Sequence, residues 1–110
     1  MAYDETLADR IRAAVTALDG NVTERKMFGG LAFMLNGHMF AGVVGQALML
    51  RLGEPAASHA LSRPHVREMD FTGRPMKGMV FIEPDGLNGT ALQRWVTDAA
   101  AFVQSLPAKA

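Results

Sequence analysis

The chain has no cysteine, which excludes disulfides and thiolate metal ligation and fits a reducing compartment, so a cytoplasmic location is expected. It also lacks a charge excess: eleven basic side chains offset eleven acidic ones. No global field therefore draws in nucleic acid or an anionic membrane, and direct nucleic-acid binding is not expected. The N-terminus, MAYDETLADR, is too acidic and polar for a secretory signal. The longest nearly apolar run, Met39 to Leu50, is too short to span a bilayer as a helix and contains Gln46.

Motifs for chemistry are equally scarce. The three histidines, His38, His59 and His65, have no metal-binding spacing and read as surface or edge residues. Ser58, Ser62 and Ser105 stand in helical contexts with no nucleophile elbow. Gly73 to Gly78, GRPMKG, has the glycine spacing of a phosphate loop, but Met79 and Val80 follow where lysine and a hydroxyl residue must stand. Neither a cofactor, a metal nor a catalytic residue is expected. Arg74 and Lys77, flanking Pro75 on a loop, remain candidates for contact with an anion or a partner.

What the chain does have is the stretch from Lys26 to Leu52, KMFGGLAFMLNGHMFAGVVGQALMLRL. Asn36-Gly37 and Gly45-Gln46 divide it into three strand-sized lengths, and both pairs suit two-residue hairpin loops. An unbroken ladder from the first turn sets Leu35 against His38, Met34 against Met39, Phe33 against Phe40 and Leu31 against Gly42. Alternation then predicts a core face of Ala32, Met34, Met39, Ala41, Val43, Leu48, Leu50 and Leu52. The opposite face would carry Leu31, Phe33, Leu35, His38, Phe40, Val44, Ala47, Met49 and Arg51. That second face is too apolar for a solvated surface, so Leu31, Phe33, Phe40, Val44 and Met49 are the expected interface for a protein partner or for self-association as a homodimer.

Around this centre, Asp4 caps a helix with apolar residues at Leu7, Ile11, Ala14 and Leu18, running to about Asp19 before Gly20. Thr23 to Phe28 fits either an edge strand or an extended lead-in. Pro55 starts a short helix ending before Pro64. Val66 to Phe71 and Met76 to Glu83 read as strands. Asn88 or Thr90 opens a last helix carrying Leu92, Trp95, Val96, Ala99, Phe102 and Val103 on one stripe, which covers the core face and stops at Pro107. Trp95 and Phe102 are both expected to be well buried. The 110 residues make one domain of α+β class, a two-layer α/β sandwich on an antiparallel sheet in the order α-β-β-β-α-β-β-α.

The string Arg25-Lys26-Met27-Phe28-Gly29-Gly30, the hairpin Leu35 to Gly42, the strand Leu48 to Leu52 and the loop Phe71 to Gly78 together resemble the N-terminal domain of the TfoX/Sxy family, along nearly the whole chain. Met27, Phe28, Gly29, Gly30, Asn36 and Gly37 match its signature. The resemblance implies a two-layer α/β fold and kinship with bacterial competence regulators, which act as transcriptional coactivators beside a cyclic-AMP receptor protein and carry a further C-terminal helical domain. This chain ends at Ala110, so a stand-alone domain is expected. The expected function is a non-enzymatic interaction domain. The alternative is a small-molecule or enzymatic pocket between Gly29-Gly30 and the Arg74 to Lys77 loop.

Overall fold

A computed structural model describes residues 3–18, 21–27, 29–70 and 75–106, with backbone alone at 27, 69, 70 and 75–77. Helix α1 (Glu5–Val15) leads into strands β1 (Val22–Met27), β2 (Gly30–Leu35), β3 (His38–Val44) and β4 (Ala47–Arg51). Helix α2 (Glu54–Ala60), strands β5 (Val66–Asp70) and β6 (Pro75–Ile82), a 3₁₀ turn (Pro84–Gly86) and helix α3 (Ala91–Gln104) complete the order. The strands form one antiparallel sheet, β1-β2-β3-β4-β6-β5. This is the expected α+β class with one strand more, because the segment left open before Gly29 pairs along its whole length with β2.

Local signals act where they stand. The Asp4 carboxylate accepts from the Thr6 and Leu7 amides at 2.9 and 3.2 Å and so starts α1. Asn36 and Gly37 have φ of 53° and 86°, the pair of positive values a type I′ turn needs. Gly45 also has positive φ, and the Asp4 amide donates to its carbonyl at 2.7 Å, pinning the start of α1 to the β3–β4 turn.

The ladder between β2 and β3 departs from the unbroken register. Leu35 faces His38 and Met34 faces Met39 as expected, but Phe33 then faces Ala41, Ala32 faces Gly42 and Leu31 faces Val43. One extra residue in β3, at Phe40, forms a bulge. A bulge turns two successive side chains to the same side, so Phe40 and Ala41 both enter the cluster beneath the helices. Leu31, Phe33 and Leu35 join them, with Val43, Leu48, Leu50, Val80 and Ile82 from the sheet and Leu7, Ile11, Trp95, Val96 and Val103 from the helices.

The face assignment is corrected accordingly. β4 is as expected, with Leu48 and Leu50 under the helices and Ala47 and Met49 on the reverse, whereas β2 is inverted and Met39 exchanges sides with Phe40. The reverse face carries Ala32, Ala47, Met49, Met79 and Phe81, flanked by Met39 and Val44.

That reverse face is not an open oily surface. Gly42 leaves room for the Met49 methyl, which lies 2.6 Å from where a Cβ would stand, and the Arg67 guanidinium sits 4.4 Å from the centroid of the Phe81 ring. Large side chains thus fold over small ones, leaving Met49 1 % exposed. Among the described residues Leu61 is the one large hydrophobic side chain on the exposed surface. His38, expected at the surface, is buried, while His59 and His65 are exposed. No helix among the described residues is long and apolar enough to cross a membrane.

Candidate functional site

An apolar concavity with charged side chains among its lining lies between α2 and α3. α2 starts where the chain leaves β4: the Leu52 and Gly53 amides both donate to the Gly78 carbonyl, at 2.8 and 3.1 Å, and Pro55 occupies the first turn. Ala57 and Ala60 are small enough to let α2 settle on β6, whereas α3 rests on β3 and β4. Because the two helices sit on different strands, a trough of about 490 Å³ remains between them.

Leu52 and Ala60 form the trough's floor, with Trp95 and Phe102 on the α3 side and His59 and Arg63 on the α2 side. Trp95 is buried, but Phe102, expected to be as deep, is only half-buried. The Phe102 ring lies over Gly53, whose φ is 85°; a Cβ there would stand 2.6 Å from the ring. Glycine at 53 therefore serves both the backbone turn and the close approach of the ring.

Two guanidiniums lie near the aromatic rings of α3, and of these Arg63 lines the trough. Arg63 lies 4.5 Å from the centroid of the Trp95 ring, and Arg51, at the end of β4, lies 5.6 Å from that of Phe102. Neither forms an ion pair among the described residues. Elsewhere Arg12 bonds Glu24 and Asp9, Arg67 bonds Glu83, and Arg10 donates to the Leu87 carbonyl. The one carboxylate lining the trough is Asp98. Among the described residues no cluster of three or more His, Cys, Asp or Glu side chains could hold a metal ion.

The residues singled out from sequence fall elsewhere. Leu31, Phe33 and Phe40 are 4 %, 0 % and 0 % exposed beneath the helices, so the expected docking face is not built from them. Val44 and Met49 do lie on the reverse face, within its own cluster. Arg74 is outside the described residues, as is the side chain of Lys77. Of the alternative pocket, Gly30 abuts Val43 and Val44 at the end of the sheet where Val43 meets Leu48, and the loop residues expected opposite it lie largely outside the described residues.

The signature residues that the structure describes fall at the hairpins. Asn36 and Gly37 make the type I′ turn, and the Asn36 amide and side chain tie it to Asn21 at 3.1 and 3.3 Å. Gly29 has a φ of 72°. Gly30 has no room for a side chain, since a Cβ would lie 2.1 Å from the Val43 carbonyl oxygen. Met27 pairs with Gly30, and Phe28 lies outside the described residues. The model of the TfoX N-terminal domain matches residues 13–103, which takes in every strand, the signature turns, α2 and nearly all of α3. The chain belongs to the TfoX N-terminal domain family. No curated protein and no solved structure matches it.

In this TfoX N-terminal domain the trough itself escaped the sequence reading. Trp95 and Phe102 were expected in the core, and no local pattern connects them with residues some forty positions earlier in α2. The available hint was the run Ala56-Ala57-Ser58-His59-Ala60, whose alanines and serine leave a helix little bulk with which to fill space beside a neighbour.

Proposed function

We propose that this TfoX N-terminal domain acts by binding a protein partner, in bacterial transcriptional regulation, and catalyses no reaction of its own. The observation that carries the reading is the trough between α2 and α3. It combines an apolar floor with Trp95, Phe102 and Arg63, which has no carboxylate partner among the described residues. Tryptophan and arginine are the residue types that most often dominate protein interfaces, particularly where an aromatic anchor is ringed by polar groups. Membership of the TfoX N-terminal domain family is compatible with the same reading.

The interaction surface proposed here differs from the sheet face expected from sequence, because Phe33 and Phe40 are committed to the core. The experiment is a pair of measurements in the native host: photo-crosslinking of the tagged domain followed by mass spectrometry, and transcript profiling after its deletion. Reproducible enrichment of a protein over an unrelated bait, together with a defined set of altered transcripts, is the expected result. Enrichment no different from the control and an unchanged transcript profile would rule the reading out.

A further inference from the structure

We infer that strand β1 is a self-complementary edge: a second copy of this chain pairs with it, antiparallel about a two-fold axis at Arg25, and makes one sheet continuous across two molecules. This edge is separate from the trough, so the inference goes beyond the partner reading and does not rest on it.

The sheet is open, and its two edges differ. β5 carries a register shift between Glu68 and Asp70, the kind of irregularity that turns an edge away from neighbouring strands. β1, VTERKM, has no proline, no glycine and no shift against β2. The Asn36 amide donates to the Asn21 carbonyl at 3.1 Å, so Asn21 turns its backbone toward β2. By alternation Thr23 and Arg25 do the same, and Val22, Glu24 and Lys26 turn their N–H and C=O groups outward. Among the described residues no strand pairs with that outer edge, and Thr23, Glu24, Arg25 and Lys26 are exposed. The helices rest principally on β2, β3, β4 and β6, which leaves the edge open to a second sheet.

Charges on an edge strand ordinarily keep other strands away; here they select a register. Residues directly opposite in a ladder share a face, and Glu24 and Lys26 both lie on the helix side, beside Phe33 and Leu31 of the core. With the axis at Arg25, Glu24 of each copy stands against Lys26 of the other, and these are residues whose outward groups can exchange hydrogen bonds. An axis at Glu24 would oppose two carboxylates, and one at Lys26 two ammonium groups. Lys26 forms no ion pair among the described residues, so its charge is uncommitted. Glu24 accepts from Arg12 at 2.8 and 2.9 Å, one bond to each oxygen, and each oxygen retains a lone pair for the ammonium group of Lys26 from the second copy. The opposing term is Arg25 meeting its own copy at the axis on the reverse side. That is a single like-charge contact against a Glu24–Lys26 contact made twice, and Arg25 is exposed enough to splay into water.

Sedimentation equilibrium of the purified chain tests the inference. A strand pair buries less than the roughly 1,200–2,000 Å² of a standard interface, so the dimer is weak and the measurement extends to about 1 mM protein. Wild type should approach the mass of two chains, and salt should weaken the association. Lys26→Glu and Glu24→Lys should each weaken it by about ten-fold or more, whereas an equimolar mixture of the two should recover a dimer containing one of each in native mass spectrometry. Arg25→Thr, which removes the like-charge contact, should tighten the dimer by about three-fold. Arg63→Glu, in the trough, should leave it unchanged. Far-ultraviolet circular dichroism checks that each variant is folded. If Glu24→Lys fails that check through loss of its Arg12 bond, Lys26→Glu and Arg25→Thr still decide, since neither side chain forms an ion pair among the described residues.

A wild type that stays monomeric up to the highest concentration would overturn the proposal. So would a dimer indifferent to Lys26→Glu, a mixture of folded charge reversals that does not recover, weaker association in Arg25→Thr, or a dimer lost in Arg63→Glu. Crosslinking to a different protein in the host bears on the partner reading alone, and the mass of the purified chain bears on this one.

Discussion

Replacing Phe40 by alanine tests the bulge on which the whole arrangement of faces depends. The ring is fully buried in the cluster beneath the helices. Removing a buried phenylalanine forfeits its transfer free energy and leaves a cavity, together about 3–5 kcal/mol. A domain of this length has about 6–16 kcal/mol of stability in total, at roughly 0.05–0.15 kcal/mol per residue. The variant should therefore lose between a fifth and most of its stability, and its Tm should fall by about 12–20 °C at roughly 4 °C per kcal/mol. Met39, the preceding residue, is half-buried on the reverse face, and Met39→Ala should cost about 1 kcal/mol, well below the loss at a fully buried site. Urea melts followed by Trp95 emission and far-ultraviolet circular dichroism measure both variants, and sedimentation velocity reports their mass. A Phe40→Ala variant more stable than Met39→Ala, with its mass altered, would mean that β2 and β3 pair without the bulge and that Phe40 faces outward.

Two further outcomes follow from particular contacts. Gly53→Ala should destabilise the domain by about 2 kcal/mol, from positive φ together with collision against the Phe102 ring; adding Phe102→Ala should remove the collision, so the double variant loses about 1 kcal/mol less than the two single losses added, and strict additivity in denaturant melts would contradict the contact. The Glu24 carboxyl titrates below its usual range because the Arg12 guanidinium hydrogen-bonds to it at 2.8 and 2.9 Å. A depressed carboxylate stabilises the fold above its ordinary pKa and loses that contribution as pH falls through its folded value. Both partners are exposed, so the advantage over Glu24→Gln should be under about 1 kcal/mol at neutral pH and should vanish in acid; a gap that widened on acidification would reverse the sign of the argument.

The elements were largely legible because each carries its own local chemistry. Asp4, Asn36-Gly37, Pro55 and the apolar stripe of α3 act through their own backbones and immediate neighbours, and each stands where its residues require. The strand Val22–Met27 was ambiguous because its four polar residues carry no alternation; its partner β2, and not its own composition, makes it a strand. The bulge was invisible for a related reason. An unbroken ladder through the Asn36-Gly37 turn satisfies every local rule, and an apolar side chain looks equally suitable on either face. Packing decides between them, since the bulge places Phe33 and Phe40 together beneath the helices, where large rings can be covered, and leaves Ala32 and Gly42 on the side where Met49 must fold flat.

The amino-acid sequence by itself determined the α+β class, the two hairpin turns, the starts of α1 and α2 and the kinship with the TfoX N-terminal domain, because turns, caps and periodicity are set within a few residues of chain. Only the tertiary structure decided which face of β2 lies inward and that α2 and α3 stand apart over a shared floor. Both depend on how side chains from distant segments fill the same volume, and volume is a property of the assembled layers that no single stretch of chain contains.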